Sequence, residues 1–144
     1  MASAPVGEFR MKVPIRVRFR DTDAMGHVNN AVFLTYLEVA RENYWRDVMQ
    51  VPDYRSCGLI LARVEIDFCS PAFVGETLEV SLRVCRLGTT SFDFAYLISE
   101  RSSQRLVAEA RSVQVMYDYE AGRKRPLTDQ EIEKMRRFEG EIAP

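Results

Sequence analysis

The sequence predicts an α+β fold: one five-stranded antiparallel sheet wrapped around a single long helix, with a short helix at the C-terminal end. Three observations predict it. Apolar residues alternate with period two in "VPIRVRFRD" and again in four consecutive segments after residue 58. Between these, from Ala31 to about Met49, the apolar spacing becomes helical and covers most of the circumference. The order strand, helix, four strands, helix then leaves one sheet with one apolar helix to enclose.

In the first strand Val13, Ile15, Val17 and Phe19 lie on one face, and Pro14, Arg16, Arg18 and Arg20 on the other. Continued alternation turns Asp21 and Asp23 toward the core side, where an acid is costly unless it is paired or used. The helix carries Phe33, Leu37, Ala40, Tyr44 and Val48 in one stripe, widened by Leu34, Tyr36, Val39 and Trp45. Its polar remainder is narrow (Thr35, Glu38, Glu42, Arg46), with Glu38 and Arg41 read as a solvated or interfacial ion pair. Asn29 or Asn30 can cap its start, because a short polar side chain satisfies free first-turn amides.

After the linker "QVPDYRSCG", the next strand places Ile60, Ala62, Val64, Ile66 and Phe68 on one face. The following two do the same with Leu78, Val80, Leu82 and Val84, and with Phe92, Phe94, Tyr96 and Ile98. "QRLVAEARSVQVMYD" is the last, and "SPAFVGE", "LGTT" and "SERSSQ" supply the turns. In the terminal helix, about 128–139, Thr128 and Glu131 form a capping box and Leu127 can staple to Ile132.

Composition sets the outer limits. A chain of 144 residues reads as one domain over 1–144, with the core at about 10–120. Its formal charge of −1, from 20 basic and 21 acidic side chains, indicates neither nucleic acid nor an anionic membrane as partner. Cys57, Cys69 and Cys85 are odd in number and lack CxxC spacing, which argues against a disulfide framework or zinc knuckle. "MASAPVGEFRMKV" lacks a leader's apolar core and no run reaches membrane-spanning length, so a cytoplasmic location is expected.

The chemistry concentrates in "FRDTDAMGHVNNAVFLTYLEVAR", residues 19–41, which holds the only histidine. A helix N-terminus presents unpaired amides and about half a positive charge, suited to a developing oxyanion. Asp23 stands just upstream, and Gly26 allows close backbone approach or a positive φ. His27 reads equally as a participant or as a structural group on a backbone carbonyl, and Asp21 as a turn or salt-bridge residue. Asp21, Asp23 and His27 have no second cluster beside them, so no metal is expected.

The string D-x-D-x-x-G-H-V-N-N, directly ahead of a helix with E-x-A-R, resembles the hotdog-fold acyl-CoA thioesterases of the 4-hydroxybenzoyl-CoA thioesterase family. It is also similar to the acyl-carrier-protein thioesterases, and the element order agrees from about residue 10 to 120. The resemblance implies hydrolysis of an acyl-CoA to a carboxylic acid and free coenzyme A. In it Asp23 is the nucleophile or the base for water, and the amide of Asn30 and its neighbours hold the thioester oxygen. His27 matches a histidine of the carrier-protein branch, whereas that branch's asparagine two residues after the acid is Met25 here. It implies no cofactor beyond the coenzyme A of the substrate. It also implies two chains paired into a continuous sheet as a homodimer or homotetramer, with the site at the interface.

"RLGTTSF" matches the turn that meets coenzyme A in that family. Arg86 can supply charge, and Thr89, Thr90 and Ser91 offer hydroxyls and amides to phosphate. The same stretch also reads as a plain hairpin turn that needs Gly88 for φ > 0. Two other functions fit the pattern: a thioesterase acting on carrier-protein substrates, and a non-catalytic module that binds acyl-CoA.

Overall fold

The computed structural model describes residues 7–144, the side chains of Tyr54 and Arg55 excepted, so residues 1–6 of the N-terminal segment lie outside it. Strand β1 (Met11–Arg16) leads through a 3₁₀ turn (Phe19–Asp21) to helix α1 (Val32–Asp47). Strands β2 (Leu59–Phe68), β3 (Thr77–Leu87), β4 (Ser91–Glu100) and β5 (Leu106–Asp118) follow. A two-residue β6 (Arg123–Lys124) and helix α2 (Asp129–Glu139) end the order. The sheet runs β1-β3-β4-β5-β2 with every pair antiparallel, and β6 adds a short rung to β5. Five long strands around one long helix agree with the expected class.

The period-two pattern decides which face closes over α1. Leu78, Val80, Leu82 and Val84 of β3 and Phe92, Phe94, Tyr96 and Ile98 of β4 are sealed from solvent. Each contributes about 1.5–3 kcal/mol of burial. From the helix side Phe33, Tyr36, Leu37, Ala40, Tyr44 and Trp45 complete the same core. Tyr44 meets Phe94 edge-on at 4.9 Å and Trp45 meets Phe92 at 5.7 Å, a geometry that aromatic quadrupoles favour.

Three expectations are corrected. Phe19 is 82% exposed rather than in the core, because β1 stops at Arg16 and the chain closes a 3₁₀ turn. That turn is locked by Arg18 N–H donating to the Asp21 carboxylate at 3.0 Å. In β2 the alternation breaks at a bulge between Leu61 and Arg63, and Ile60, Leu61 and Phe68 stay exposed on this edge strand. Arg41 is not solvated: it is buried and donates to Tyr96 Oη at 3.2 Å. The network continues from Tyr96 to Ser112 at 2.7 Å and from Gln114 to Ser112 at 2.6 Å, all within the core.

Helix α2 packs beside the far end of α1. Thr128 and Glu131 form the expected capping box. Lys134 Nζ donates to Met49 O at 2.9 Å, and the Phe138 ring lies 5.8 Å from Tyr44. Beyond it, Leu87 N–H donates to Ala143 O, so the chain end covers β3 where β1 no longer reaches. No helix among the described residues is long and apolar enough to cross a membrane.

Candidate active site

Between the 3₁₀ turn and α1 the backbone doubles back on itself. Thr22 bridges Val28, and Asp23 N–H donates to His27 O at 3.2 Å. The tip is a β-turn closed by Gly26 N–H donating to Asp23 O at 2.9 Å. Gly26 sits at φ +84°, where a side chain is strained although a Cβ would meet nothing within 4 Å. The glycine is therefore required by its dihedral and not by crowding. The loop is braced from behind by Val28 N–H donating to Ala72 O at 2.9 Å.

Asp21 and Asp23, two residues apart, have different tasks. Asp21 is buried, with Arg18 Nη2 at 2.9 Å and the Tyr36 hydroxyl donating at 2.8 Å. Burial pushes its carboxyl up, but the hydrogen bonds from Arg18 and Tyr36 outweigh it and hold the group below its ordinary value. Asp21 is thus consumed in fastening the turn to α1, as the salt-bridge reading had it. Asp23 is only half-buried. One carboxylate oxygen accepts Met25 N–H at 2.9 Å in an Asx turn. The other accepts the side-chain amide of Asn29 at 2.9 Å. Each oxygen keeps a lone pair directed elsewhere.

The helix start supplies the donors. Val32, Phe33 and Leu34 give their amides to Asn29, Asn30 and Ala31 carbonyls, at 2.9, 3.3 and 3.3 Å. Ala31 gives its amide to Asn29 Oδ1 at 2.9 Å, so Asn29 rather than Asn30 satisfies this turn. Among the described residues the Asn30 amide has no acceptor. Of the amides from Asn30 to Leu34 it is the one left to bind an external oxygen. His27 points its Nδ1 at Val28 O across 3.3 Å. A carbonyl only accepts, so Nδ1 is the donor in this contact. No hydrogen bond joins His27 to Asp23 side chain to side chain among the described residues.

The residues of "RLGTTS" lie elsewhere in the same chain. The Thr77 end of β3 faces Arg16 beside the Asp23 loop, and Leu87 is ten residue steps further on. At about 3.3 Å per step the hairpin is roughly 30 Å away along the strand. Within one chain it does not join Asp23. Arg86 is also occupied: its guanidinium lies 2.7 Å from Asp93, which Arg111 grips from the other side at 2.8 Å, and it donates to Ser91 Oγ at 3.0 Å. The backbone conformation of Gly88 is not left-handed, contrary to the turn reading. Its glycine answers to crowding, since a Cβ would stand 2.8 Å from Arg86 and 3.0 Å from Ser91 O. Thr89 is exposed, and its carbonyl and that of Thr90 accept from Leu127 and Met116.

The cysteines offer no rival nucleophile. Burial raises the Cys57 thiol to about 11 and also pushes Cys69 and Cys85 up, away from the reactive thiolate. Reasoning from sequence missed Arg18 and Tyr36 as the holders of Asp21, and it took Asn29 only as a possible cap. The spacing Asp23-x₅-Asn29 was visible, but its meaning depends on the doubling back that brings the two side chains together.

Comparisons with known proteins bear on the family and the fold. A family model for the thioesterase-like superfamily matches residues 17–135. A thioesterase from Thermus thermophilus, solved with coenzyme A and zinc, is 35% identical, with a TM-score of 0.82 over 90% of this chain and 94% of that one. A 1,4-dihydroxy-2-naphthoyl-CoA thioesterase from Synechocystis is 27% identical, with a TM-score of 0.75 over 86% of this chain and 93% of its own. A 1,4-dihydroxy-2-naphthoyl-CoA hydrolase of Crocosphaera subtropica is 29% identical over 69% of this chain and 76% of its own. With the family model spanning the Asp23 loop, α1 and the strands from β2 to β6, the chain belongs to the thioesterase-like superfamily.

Proposed function

We propose that the protein hydrolyses acyl-CoA thioesters, with Asp23 as the carboxylate that activates water and the Asn30 amide as an oxyanion donor. One observation carries the reading: a carboxylate held at both oxygens, by Met25 N–H and Asn29, stands beside a helix start with one unused amide. Water gives a proton to Asp23 as its oxygen bonds to the thioester carbon. Charge develops on the carbonyl oxygen, where a fixed N–H stabilises it without reorganisation. The tetrahedral intermediate collapses, the C–S bond breaks, and the thiolate departs and takes up a proton. The reaction consumes only thioester and water. The relatives whose names specify coenzyme A thioesters favour this carrier over acyl-carrier protein.

The sheet edges support a dimer. β1 is six residues long and carries Pro14, which cannot donate to a neighbouring strand. β2 is ten residues long and exposes Ile60, Leu61 and Phe68, an edge that must be covered. Antiparallel pairing of β2 with its copy about a twofold axis sets one strand's Leu59 end against the other's Phe68 end. Phe68 is 5.3 Å from Phe33 in the first turn of α1, whereas Leu59 pairs with Met116, at the hairpin end of the sheet. The second copy's 86–91 hairpin then lies toward the Asp23 end, which reunites the two sequence motifs across the interface. In this assembly the hairpin, with Arg86, Gly88, Thr89, Thr90 and Ser91, receives coenzyme A.

The test is release of free coenzyme A from a panel of acyl-CoAs by wild type and Asp23→Asn, with the same acyl groups also offered on carrier protein. Turnover of acyl-CoA that disappears in the variant is expected. Binding of acyl-CoA without any turnover would mark a binding module, and preference for the carrier protein would replace the carrier.

A further inference from the structure

We infer that Asn29 is a positioning residue that sets the spacing between the carboxylate of Asp23 and the open amide of Asn30. The inference rests on the reading of Asp23 given above.

All four polar groups of Asn29 are engaged. Its backbone N–H donates to Asp21 O at 2.9 Å, and its backbone carbonyl accepts Val32 N–H at 2.9 Å. Its side-chain oxygen accepts Ala31 N–H at 2.9 Å, and its side-chain nitrogen donates to Asp23 at 2.9 Å. Two of these bonds fix the residue to the buried acid's turn and to the first turn of α1. The other two join the helix start to the reacting carboxylate through one rigid planar amide.

The residue type follows from this double duty. Serine, threonine and aspartate all cap a helix by accepting an amide hydrogen. Only asparagine does so while also presenting an N–H donor to a neighbouring carboxylate at this length. A plain cap has no need of that donor. Its presence, aimed at Asp23 Oδ2, is the feature capping alone leaves unexplained. Asn30 directly follows, so the amide that faces an oxyanion and the side chain that holds the base are one peptide unit apart.

Two variants separate positioning from capping. Asn29→Ser keeps a capping acceptor and removes the reach to Asp23. Asn29→Asp keeps the shape and the acceptor but sets a carboxylate oxygen against Asp23. Both are made in the wild-type and in the Asp23→Asn backgrounds, and kcat, KM and Tm are measured with acyl-CoA. We expect each to lose about ten- to hundredfold in kcat, the scale of a misplaced reacting group. KM should stay within about threefold and Tm within a few degrees, with little further loss in Asp23→Asn, because residues acting as a unit are not additive. Wild-type kcat in either folded variant, or an equal loss in both backgrounds, overturns the inference. If Asn29→Ser fails to fold, Asn29→Asp decides alone. If Asp23→Asn itself keeps wild-type turnover, the reading of Asp23 falls and this inference with it, whereas loss in Asp23→Asn with none in the Asn29 variants refutes this inference only.

Discussion

The Arg83 guanidinium lies 3.6 Å from the Glu139 carboxylate, and both side chains are sealed from solvent. Tyr44 of α1 approaches the same carboxylate at 3.5 Å, so three elements (α1, β3 and α2) meet at one buried charge. Arg83 also donates to Glu8 O at 3.2 Å and Glu141 O at 3.1 Å, which ties both ends of the described chain to the sheet.

Burial raises the Glu139 carboxyl to about 7 from an ordinary 4.5, although Arg83 and Tyr44 pull the other way. The folded state therefore holds this proton more tightly than the unfolded one between those values. Stability should fall as pH rises from about 4.5 to 7 and level off above, with an upper bound of about 3 kcal/mol. Urea unfolding across that range is expected to show the decline in wild type and a flatter profile in Glu139→Gln. Identical profiles would remove Glu139 as the source.

Asp23→Asn preserves shape and removes the charge that accepts the proton in the proposed mechanism. We predict a fall of about three orders of magnitude in kcat with binding largely kept. A single turnover in ¹⁸O-labelled water checks the role: direct attack by water labels the product acid at once. Unlabelled acid in the first turnover, with label left on the protein, would instead make Asp23 the nucleophile.

His27 holds Val28 O through Nδ1 and leaves Nε2 open. A thiolate leaving group needs little protonation, so His27→Ala should cost about ten- to hundredfold in kcat, less than Asp23→Asn. His27→Asn recovers part of the loss if the hydrogen bond to Val28 is what matters. Full activity in a stably folded His27→Ala protein leaves the ring with a purely structural role.

Tyr36→Phe removes the hydroxyl that donates to Asp21 but leaves Arg18 in place. Losing one hydrogen bond to a buried carboxylate should cost about 1.5 kcal/mol, seen as a Tm lower by about 3–6 °C, while kcat stays near wild type. A large kcat loss at unchanged Tm would mean that Asp21 belongs to the chemistry.

For the β2 edge, sedimentation at micromolar concentration should show a dimer in wild type. Ile60→Asp, which puts a charge on the exposed edge, should shift it to monomer and reduce turnover together. A wild-type monomer with full activity would refute pairing through β2.

Much of this was written in local pattern. The alternation in β3 and β4 and the helical period from Ala31 onward report burial directly, since each side chain's face follows from its position in the element. The capping box at Thr128 and the need for glycine at position 26 are equally local. Phe19 broke the pattern because the strand stops three residues early, where hydrogen bonds between Arg18 and Asp21 close a 3₁₀ turn. The β2 pattern was disturbed by one inserted residue at the bulge, which shifts the register of all that follows.

What the sequence by itself determined is the order of elements, the faces that β3 and β4 bury, and the acid-before-helix motif at the candidate site. Only the tertiary structure decided which groups that motif joins. It assigned Asp21 to Arg18 and Tyr36, gave Asp23 to Met25 and Asn29, turned Arg41 inward to Tyr96, and set the 86–91 hairpin at the far end of the sheet from Asp23. The physical reason is range. Hydrophobic period and turn chemistry act between near neighbours in the chain, whereas a polar side chain takes whichever partner the packed backbone brings within about 3 Å.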